Sequence, residues 1–313
     1  MTKRLLITGA TGFVGKAVCE QAMEQGLSVK GALRMHREVP DWIEPLVLGE
    51  INGLTSWGNA LCDVNIVIHL AARVHIMHNA AADPLTSFRT INAEGTLNLA
   101  RQAAAAGVNR FVFVSSVKVN GESTLLGQMF TEADAPNPQD AYGQSKLEAE
   151  QGLRQLSADT GMEVVIVRPP LVYGPGVKAN FAALMRGVRR GWPLPLGAVH
   201  NQRSLVGLDN LVDFIVTCIT HPEAANKTFL VSDGQDISTT ELVRGMAQAA
   251  GVPVCLLPMP VWALQAGASL LGKGDEVRRL CSNLQVDISK ARSLLDWAPP
   301  VSLEEGLRRA MTA

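Results

Sequence analysis

Tyr142 and Lys146 are the two residues whose types and spacing most directly suggest chemistry. Side chains four positions apart lie on the same face of an α-helix, so we expect this phenol and this ammonium to be neighbours. A nearby positive charge favours phenolate, which brings the tyrosine pKa down from about 10 toward neutrality. Such a tyrosine can exchange a proton with an alcohol or carbonyl oxygen while a hydride moves to or from the attached carbon.

A glycine-rich segment near the start of the chain forms the second motif, Thr8-Gly9-Ala10-Thr11-Gly12-Phe13-Val14-Gly15. It lies between an apolar run and a helical pattern, where a dinucleotide-binding turn must lie. Gly9 permits the tight turn, Gly12 lets the backbone approach a pyrophosphate, and Gly15 lets helix and strand pack closely. The N-terminus of the helix would then face the anion. The two motifs together predict a nicotinamide-dependent oxidoreductase.

The elements around these motifs follow a strand–helix rhythm that predicts an α/β fold, a Rossmann-type doubly wound parallel sheet. Expected strands are 5–8, 28–33, 65–71, 110–115 and 163–167, and expected helices are 14–25, 92–106 and 142–156. Segments 205–208 and 229–232 are expected to return to the sheet edge.

Glycine and proline become frequent after residue 169, which indicates a smaller, interleaved C-terminal substrate-binding domain. The predicted cofactor-binding domain covers 1–172, with a return around 204–232. The predicted substrate-binding cap covers 173–203 and 233–313.

Composition and charge argue against other classes of protein. The chain has 28 basic and 29 acidic residues, so it lacks the basic excess of a nucleic-acid-binding protein. No stretch reaches the roughly 18 apolar residues of a membrane span. The nearest candidate, 261–271, suits a core or interface helix better than a membrane-surface helix. Five scattered cysteines favour a reducing, cytoplasmic location over a disulfide framework.

Three histidines close in sequence do not predict a metal site, because they lack the acid or thiol partners such a site usually has. His69 falls in an apolar strand and is expected to be a hydrogen-bonded core residue. His75 and His78 follow that strand and are candidates for the wall of a substrate pocket. Arg278 and Arg279 fit either a solvated helix end or a phosphate contact.

From Lys3 to about Arg309 the chain resembles the extended short-chain dehydrogenase/reductases, specifically the NAD-dependent epimerase/dehydratase family that acts on nucleotide sugars. The resemblance implies that Tyr142 moves the proton of the substrate oxygen and that Lys146 tunes Tyr142 and grips the nicotinamide ribose. Ser116 matches the hydroxyl that positions the substrate oxygen, with Ser115 as its close rival.

The same resemblance implies the residues that hold the cofactor. Glu50-Ile51 resembles the Asp-Ile pair that holds adenine, with Glu in place of Asp. Leu70-Ala71-Ala72 matches a segment beneath the cofactor, and Pro169 belongs to a stretch that passes the nicotinamide. The implied cofactor contacts are Gly9, Thr11, Gly12, Phe13, Val14, Gly15, Arg34, Glu50, Ile51, Leu70, Ala71, Ala72, Asn92, Tyr142, Lys146 and Pro169. The implied substrate contacts are Ser116, Asn180 and Arg203, the last of which would bind the nucleotide diphosphate.

Three positions depart from the family pattern. NAD-dependent members usually place an acid at the end of the second strand, but here Leu33 is followed by Arg34. An arginine without an acid favours a 2′-phosphate and hence NADP over NAD, unless Arg34 is only a solvated charge. Leu171 replaces an asparagine found in many sugar-nucleotide enzymes, which removes one polar contact. Asn120 stands where a tyrosine is common, with no evident consequence.

Two activities follow from the resemblance, both with hydride transfer at a sugar ring carbon, most often carbon four. The NADP argument favours reduction of the 4-keto group of a UDP-linked 6-deoxy-N-acetylhexosamine for surface polysaccharide. The alternative is a UDP-sugar 4-epimerase with tightly bound NAD. Val117 and Lys118 occupy the positions of a dehydratase's Asp-Glu pair and disfavour that reaction. The intact Ser116/Tyr142/Lys146 set disfavours a non-catalytic cofactor sensor. By the same resemblance we expect a homodimer.

Overall fold

Two β-sheets organise the chain in the computed structural model, which describes residues 3–74, 83–270 and 272–312. The strands are β1 (Arg4–Thr8), β2 (Ser28–Leu33), β3 (Ile43–Val47), β4 (Ile66–His69), β5 (Arg110–Val114), β6 (Glu163–Arg168), β7 (Leu171–Tyr173), β8 (Arg203–Gly207), β9 (Thr228–Leu230) and β10 (Asp236–Ile237). The α-helices are α1 (Phe13–Glu24), α2 (Pro84–Arg89), α3 (Thr96–Ala105), α4 (Ala141–Thr160), α5 (Ala179–Arg189), α6 (Leu208–Thr220), α7 (Thr239–Ala250), α8 (Val261–Leu270), α9 (Gly274–Cys281), α10 (Ser289–Leu295) and α11 (Leu303–Thr312). A π-helical segment, Thr90–Gly95, joins α2 to α3.

The larger sheet has seven parallel strands in the order β3-β2-β1-β4-β5-β6-β9. Its strands are apolar because both faces are covered by helices, and every residue of β4 is buried. β1 pairs with β2 on one side and β4 on the other, so the chain changes direction across the sheet at this point. Ligands of doubly wound folds bind at such a switch point, beyond the carboxyl ends of the strands. The predicted doubly wound α/β fold is confirmed.

The smaller sheet has the strand order β10-β8-β7 and corrects one prediction. β9 does return to the edge of the larger sheet, beside β6. The expectation that 205–208 also does so is wrong, because β8 pairs with β7 and β10 instead. Pro169 and Pro170 separate β6 from β7 and cannot donate ladder hydrogen bonds, so the chain leaves the larger sheet there.

Several element boundaries differ from the sequence-based expectation for local reasons. The helix expected at 92–106 begins instead as the π-helical segment and becomes α-helical only from Thr96. α4 begins earlier and ends later than expected, because the Asp140 carboxylate caps its N-terminus and Gly161 ends it in the left-handed conformation. β3 was not anticipated, although Pro45 within it is typical of an edge strand.

The exposed helix α8 covers all of the 261–271 segment except Leu271, which lies outside the described residues. Only Ala268 of this helix is buried, while Trp262 and Leu270 are exposed, so the core alternative is wrong and an interface helix stays a prediction. Throughout the described ranges, no helix combines the length and apolarity needed to cross a membrane. His75 and His78 also lie outside the described residues.

The turn between β1 and α1 depends on a close approach of two glycines. A Cβ atom on Gly15 would lie 2.0 Å from the Gly9 carbonyl oxygen and 3.0 Å from the Ala10 Cα. Gly9 itself has φ +70°, and a Cβ there would meet the Ala71 amide nitrogen at 3.0 Å. These contacts are with backbone atoms, which cannot rotate away as a side chain would. The helix can therefore sit this close to the strand only with glycine at both positions.

We expect Gly15→Ala to destabilise the protein by about 1–3 kcal/mol through overpacking, and to weaken cofactor binding because the turn must open. Urea unfolding and cofactor titration would measure the two effects. Gly58→Ala is the matched control, since a Cβ at Gly58 meets no atom within 4 Å. Equal stability of the two variants would contradict the close-packing argument.

Candidate active site

A cleft of about 580 Å³ lies at the switch point, beyond the ends of β1, β2 and β4. Nine of the sixteen residues expected to contact the cofactor line it: Gly9, Thr11, Gly12, Arg34, Glu50, Ile51, Leu70, Ala71 and Ala72. The cleft wall does not include Phe13, Val14, Gly15, Asn92, Tyr142, Lys146 or Pro169. The structure thus brings together the glycine turn, the Glu50-Ile51 pair and the segment after β4.

The glycine turn is shaped to receive an anion. The Gly12 amide bonds to the Gly9 carbonyl at 2.8 Å, and α1 begins directly after Gly12 with no side-chain cap. No acidic residue occupies the first turn of α1, so nothing opposes the positive end of the helix dipole. A Cβ at Gly12 would meet the Gly9 carbonyl oxygen at 3.0 Å, and one at Gly9 would meet the Ala71 amide nitrogen at 3.0 Å. This cradle fits the pyrophosphate of a dinucleotide.

The end of the cleft beyond β2 carries mixed charge. Arg34, Met35 and Arg37 line it just beyond β2, and all three are exposed. Glu50 lines the same cleft. Trp57 also contributes to the wall, and its fully buried indole nitrogen has no hydrogen-bond partner among the described residues. The sequence did not single out Trp57, because a tryptophan in a turn-rich segment carries no motif of its own.

Tyr142 and Lys146 lie on one face of α4, as their spacing predicts. The Lys146 Nζ is 6.0 Å from the centre of the Tyr142 ring and 4.5 Å from that of Phe113. Nζ donates a hydrogen bond to the Val114 carbonyl at 2.9 Å. The lysine is buried, so its ammonium is held at the end of β5 beneath the tyrosine.

The pKa shifts of this pair differ from the expectation. Burial raises the pKa of Tyr142, and the neighbouring Asp140 carboxylate raises it further. Burial lowers the pKa of Lys146 to about 7, partly offset by the negative charge of Glu150. Low-dielectric surroundings disfavour both phenolate and ammonium. The prediction of a lowered Tyr142 pKa is therefore wrong for the protein without ligands, in which Tyr142 rests as a neutral phenol.

Geometry favours Ser116 over Ser115 as the hydroxyl that meets a substrate. Ser115 is buried, and its Oγ donates to the Glu150 carboxylate at 2.6 Å. Ser116 is half-buried at the start of a 3₁₀ turn, where its Oγ accepts from the Lys118 amide at 3.2 Å. Among the described residues no acceptor is found for the hydroxyl hydrogen of Ser116, whereas that of Ser115 is directed into the core.

Asn92 is placed differently from the expectation. Its side chain bonds the backbone N–H and C=O of Arg73 and the Oγ of Ser145, and the residue is fully buried. These bonds leave no amide group to reach the cleft. The expected direct cofactor contact is therefore not found, and Asn92 instead links the segment after β4 to the Tyr142 helix.

A buried polar chain beneath the cleft includes His69, whose role as a satisfied core histidine is confirmed. His69 Nδ1 lies 2.7 Å from Thr8 Oγ1, and Nε2 lies 2.9 Å from Thr96 Oγ1. Burial, with a contribution from Lys146, lowers the His69 pKa to about 3, so the ring is neutral. Because Thr96 already donates to the Asn92 carbonyl, His69 donates from Nε2 and accepts at Nδ1.

A second cavity of about 410 Å³ lies beside the 3₁₀ turn that follows Ser116. Polar and charged side chains dominate its wall, which is formed by Asn120, Gly121, Glu122, Ser123, Phe130, Asn137, Gln139, Arg278, Arg279 and Ser282. Arg203 adjoins the cavity, since its guanidinium donates to the carbonyls of Arg279 and Ser282. Asn180 is exposed at the start of α5 and lines neither cavity. The structure thus places Arg203, but not Asn180, beside one of these two cavities.

Replacing Lys146 by methionine should raise stability most at low pH. The folded protein disfavours the ammonium, so the unfolded chain binds more protons between the folded pKa of about 7 and the ordinary lysine pKa of 10.5. Lys146 therefore lowers the free energy of unfolding of the parent below pH 7, and this destabilisation decreases as the pH rises from 7 to 10.5. Urea unfolding of parent and Lys146→Met from pH 6 to 10 would measure it. A stability difference independent of pH would show that Lys146 is not a strained buried cation.

Comparisons with known proteins agree with this geometry. The model of the NAD dependent epimerase/dehydratase family matches residues 5–232. The UDP-glucose 4-epimerase of Vibrio cholerae is 49% identical over 315 residues, which cover 100% of this chain and 96% of that protein. Among solved structures, the UDP-N-acetylglucosamine 4-epimerase of Bacillus cereus matches with a TM-score of 0.81 at 21% identity, with 100% of both chains covered.

A further solved structure, the UDP-glucuronic acid 4-epimerase of Bacillus cereus in complex with NAD, matches with a TM-score of 0.79 at 20% identity and covers 99% of this chain and 97% of that one. At such identities the structures establish the fold alone, and the family model and the Vibrio relative establish the family. This chain belongs to the NAD-dependent epimerase/dehydratase family of extended short-chain dehydrogenase/reductases and is an enzyme.

Proposed function

We propose that this enzyme is a UDP-sugar 4-epimerase that keeps NAD bound. The observation that carries the proposal is the 49% identity, along the whole chain, to a UDP-glucose 4-epimerase. It reverses the order of the two activities inferred from sequence, because the 4-keto reductase was favoured chiefly by Arg34. The clustering of Ser116, Tyr142 and Lys146 at the end of β5 supports chemistry at a sugar hydroxyl.

The residues of the first cleft are suited to hold the cofactor. The glycine turn and the N-terminus of α1 would bind the pyrophosphate, and Glu50 with Ile51 would meet the adenosine. When bound, the nicotinamide supplies a reversible hydride acceptor. Lys146 lies at the end of β5, where it would hold the ribose of the nicotinamide.

Tyr142 and Ser116 are the groups proposed to handle the sugar oxygen. In a 4-epimerase the C4 hydroxyl must lose a proton as its carbon is oxidised and regain one when the other epimer forms. The resting phenol of Tyr142 can donate at once, but it can accept only if a positive charge stabilises the phenolate. Lys146 is the cation placed to do so. Ser116 would hold the same oxygen through its hydroxyl.

The substrate's nucleotide diphosphate is proposed to bind between the second cavity and Arg203. Arg278 and Arg279 line this cavity and Arg203 adjoins it, and guanidinium groups suit phosphate oxygens. Under this proposal, 173–203 and 233–313 form the substrate-binding part of the chain. Leu171 is exposed where related enzymes carry an asparagine, so the sugar contacts must differ in detail. A cytoplasmic location, a homodimer and a role in surface polysaccharide synthesis remain predictions.

One observation favours a second candidate, an NADP-dependent 4-keto reductase of a UDP-linked 6-deoxy-N-acetylhexosamine. Arg34 and Arg37 line the adenosine end of the cleft, and no acid ends β2. Two guanidinium groups would attract a 2′-phosphate. Glu50 on the same cleft opposes that preference. Identification of the cofactor therefore also separates the two activities.

The epimerase proposal predicts interconversion of UDP-glucose and UDP-galactose, or of their N-acetylated counterparts, without added cofactor. Tyr142→Phe should lower this rate by about 10²–10⁴-fold, the usual contribution of a positioned proton-transfer group. Chromatography of the sugar nucleotides would measure the rate, and denaturation of each protein would release the bound cofactor for quantification. Tyr142→Phe should retain as much cofactor as the parent. Consumption of added NADPH with a 4-keto substrate, and no epimerisation, would replace the epimerase by the reductase.

Arg34→Ala tests the cofactor argument separately. If Arg34 binds a 2′-phosphate, the variant should lose about tenfold or more of its NADPH affinity and keep its NADH affinity, since a charged hydrogen bond contributes about 1.5–3 kcal/mol. Fluorescence titration of both cofactors would measure this. Arg101→Ala on the exposed side of α3 is the control. Unchanged NADPH affinity in Arg34→Ala would show that Arg34 is a solvated charge.

A further inference from the structure

Glu150 occupies the third position of a series along one face of α4. It follows Lys146 by four residues, as Lys146 follows Tyr142. Its carboxylate is fully buried and accepts four hydrogen bonds. The donors are Ser115 Oγ at 2.6 Å, Arg168 Nε at 2.9 Å, Arg168 Nη2 at 2.6 Å and Arg154 Nη2 at 2.8 Å. Glu150 is therefore the centre of a fully hydrogen-bonded buried polar network.

The partner Arg168 extends this centre toward the second cavity. Arg168 is 2% exposed, and its Nη1 donates to the Asn120 Oδ1 at 2.9 Å. Asn120 in turn donates to the Thr131 carbonyl and lines the second cavity. Asn120, at a position where related enzymes often carry tyrosine, therefore has a structural role in this chain. It satisfies a guanidinium hydrogen that burial would otherwise leave unpaired.

Two of the three partners of Glu150 are adjacent in sequence to a residue of the candidate site. Ser115 directly precedes Ser116, and Arg168 directly precedes Pro169. Backbone bonds join the same segments, from the Ser115 amide to the Val167 carbonyl and from the Val117 amide to the Pro169 carbonyl. One carboxylate therefore ties the ends of β5 and β6 to the helix that carries Tyr142 and Lys146.

We propose that Glu150 is a positioning residue of the reaction, which holds Ser116 and the segment at Pro169 in register with the helix of Tyr142 and Lys146 and places a negative charge one helical turn from Lys146. The proposal rests on the proposed function only in assigning catalysis to Tyr142, Lys146 and Ser116. It does not depend on which sugar is bound.

The electrostatic part follows from the groups that face Lys146. From α4 these are Tyr142 and Glu150, from β4 the neutral His69, and from β5 the Val114 carbonyl. Among these, Glu150 is the one that favours the charged lysine, against the burial that lowers its pKa to about 7. Without Glu150, Lys146 would lose its proton at a lower pH, and the positive charge beside Tyr142 would go with it.

The test compares Glu150→Gln with Glu148→Gln, a change of equal size on the same helix. Glu148 is half-buried and pairs with Arg89 at 2.6 Å on the side away from this centre. In full-length enzyme, Glu150→Gln should move the alkaline limb of the pH profile of kcat/KM at least one unit lower. It should also lower kcat tenfold or more at pH 8, with a smaller loss at pH 6. Glu148→Gln should keep the parent profile.

A second variant separates positioning from folding. Glu150→Gln leaves Arg168 buried without its counter-ion, which by itself can unfold the protein. The double variant Glu150→Gln/Arg168→Gln removes both charges, so it should regain Tm relative to the single variant while retaining the displaced pH profile. A parental pH profile and kcat in either folded variant would overturn the proposal and leave Glu150 a stabilising residue only.

Failure of the proposed function would be visible separately. If the parent enzyme epimerises no UDP-sugar, the same variants can be compared through the pH dependence of NADH affinity, read from nicotinamide fluorescence. That measurement still reports the charge of Lys146. A displaced titration in Glu150→Gln alone would support the positioning role, and coincident titrations in both glutamine variants would refute it.

Discussion

The buried ion pair between Glu150 and Arg168 is the interaction on which the geometry of the candidate site depends. Two charges removed from water are costly unless hydrogen bonds satisfy them, and this pair is satisfied from several elements at once. Glu150 accepts from Ser115 and Arg154 as well as from Arg168, and Asn120 takes a further guanidinium hydrogen. The strand ends and the helix cannot shift relative to one another without breaking one of these bonds. This constraint fixes the relative positions of the Ser116 hydroxyl, the Tyr142 phenol and the Lys146 ammonium.

A neutral network performs the corresponding task at the other side of the site. Thr8, at the end of β1, bonds to His69, which bonds to Thr96 at the start of α3. Thr8 Oγ1 also accepts from the amides of Leu70 and Ala71, which lie under the cofactor cleft. Asn92 and Ser145 continue the connection to the carbonyl of Tyr142. The cofactor turn and the proton-transfer helix are therefore parts of one hydrogen-bonded structure, although they are more than a hundred residues apart in sequence.

Family membership and site geometry answer different questions about this enzyme. The family relation establishes the fold and the class of chemistry. The chain carries the glycine turn and the Tyr142/Lys146 helix, and it aligns along its whole length with a relative. The choice between epimerase and reductase turns instead on cofactor retention and on the charge around the adenosine. Those properties arise from a few side chains that line the cleft. Arg34 favours a 2′-phosphate, whereas the carboxylate of Glu50 opposes one. Similarity of fold does not reveal which of these two charges determines the cofactor.

The sequence by itself determined the features that depend on local spacing. The period of its apolar runs specified the doubly wound sheet, and the glycine spacing specified the turn at Gly9. The four-residue interval placed Tyr142 beside Lys146. Each of these follows from backbone geometry over a few residues, so no distant contact is needed to infer it. The same reasoning placed β8 wrongly, because the pairing partner of a strand is a long-range property.

Only the tertiary structure decided the features that depend on burial and on distant partners. It directed the Ser115 hydroxyl into the core and left Ser116 half-buried beside the 3₁₀ turn, a difference that adjacent serines cannot reveal in sequence. It also reversed the expected pKa shift of Tyr142, because desolvation in the packed interior outweighs the influence of a lysine whose own charge is disfavoured there. The partners of Glu150 come from segments up to 35 residues away, and a carboxylate in a helix gives no sign of them until the chain has folded.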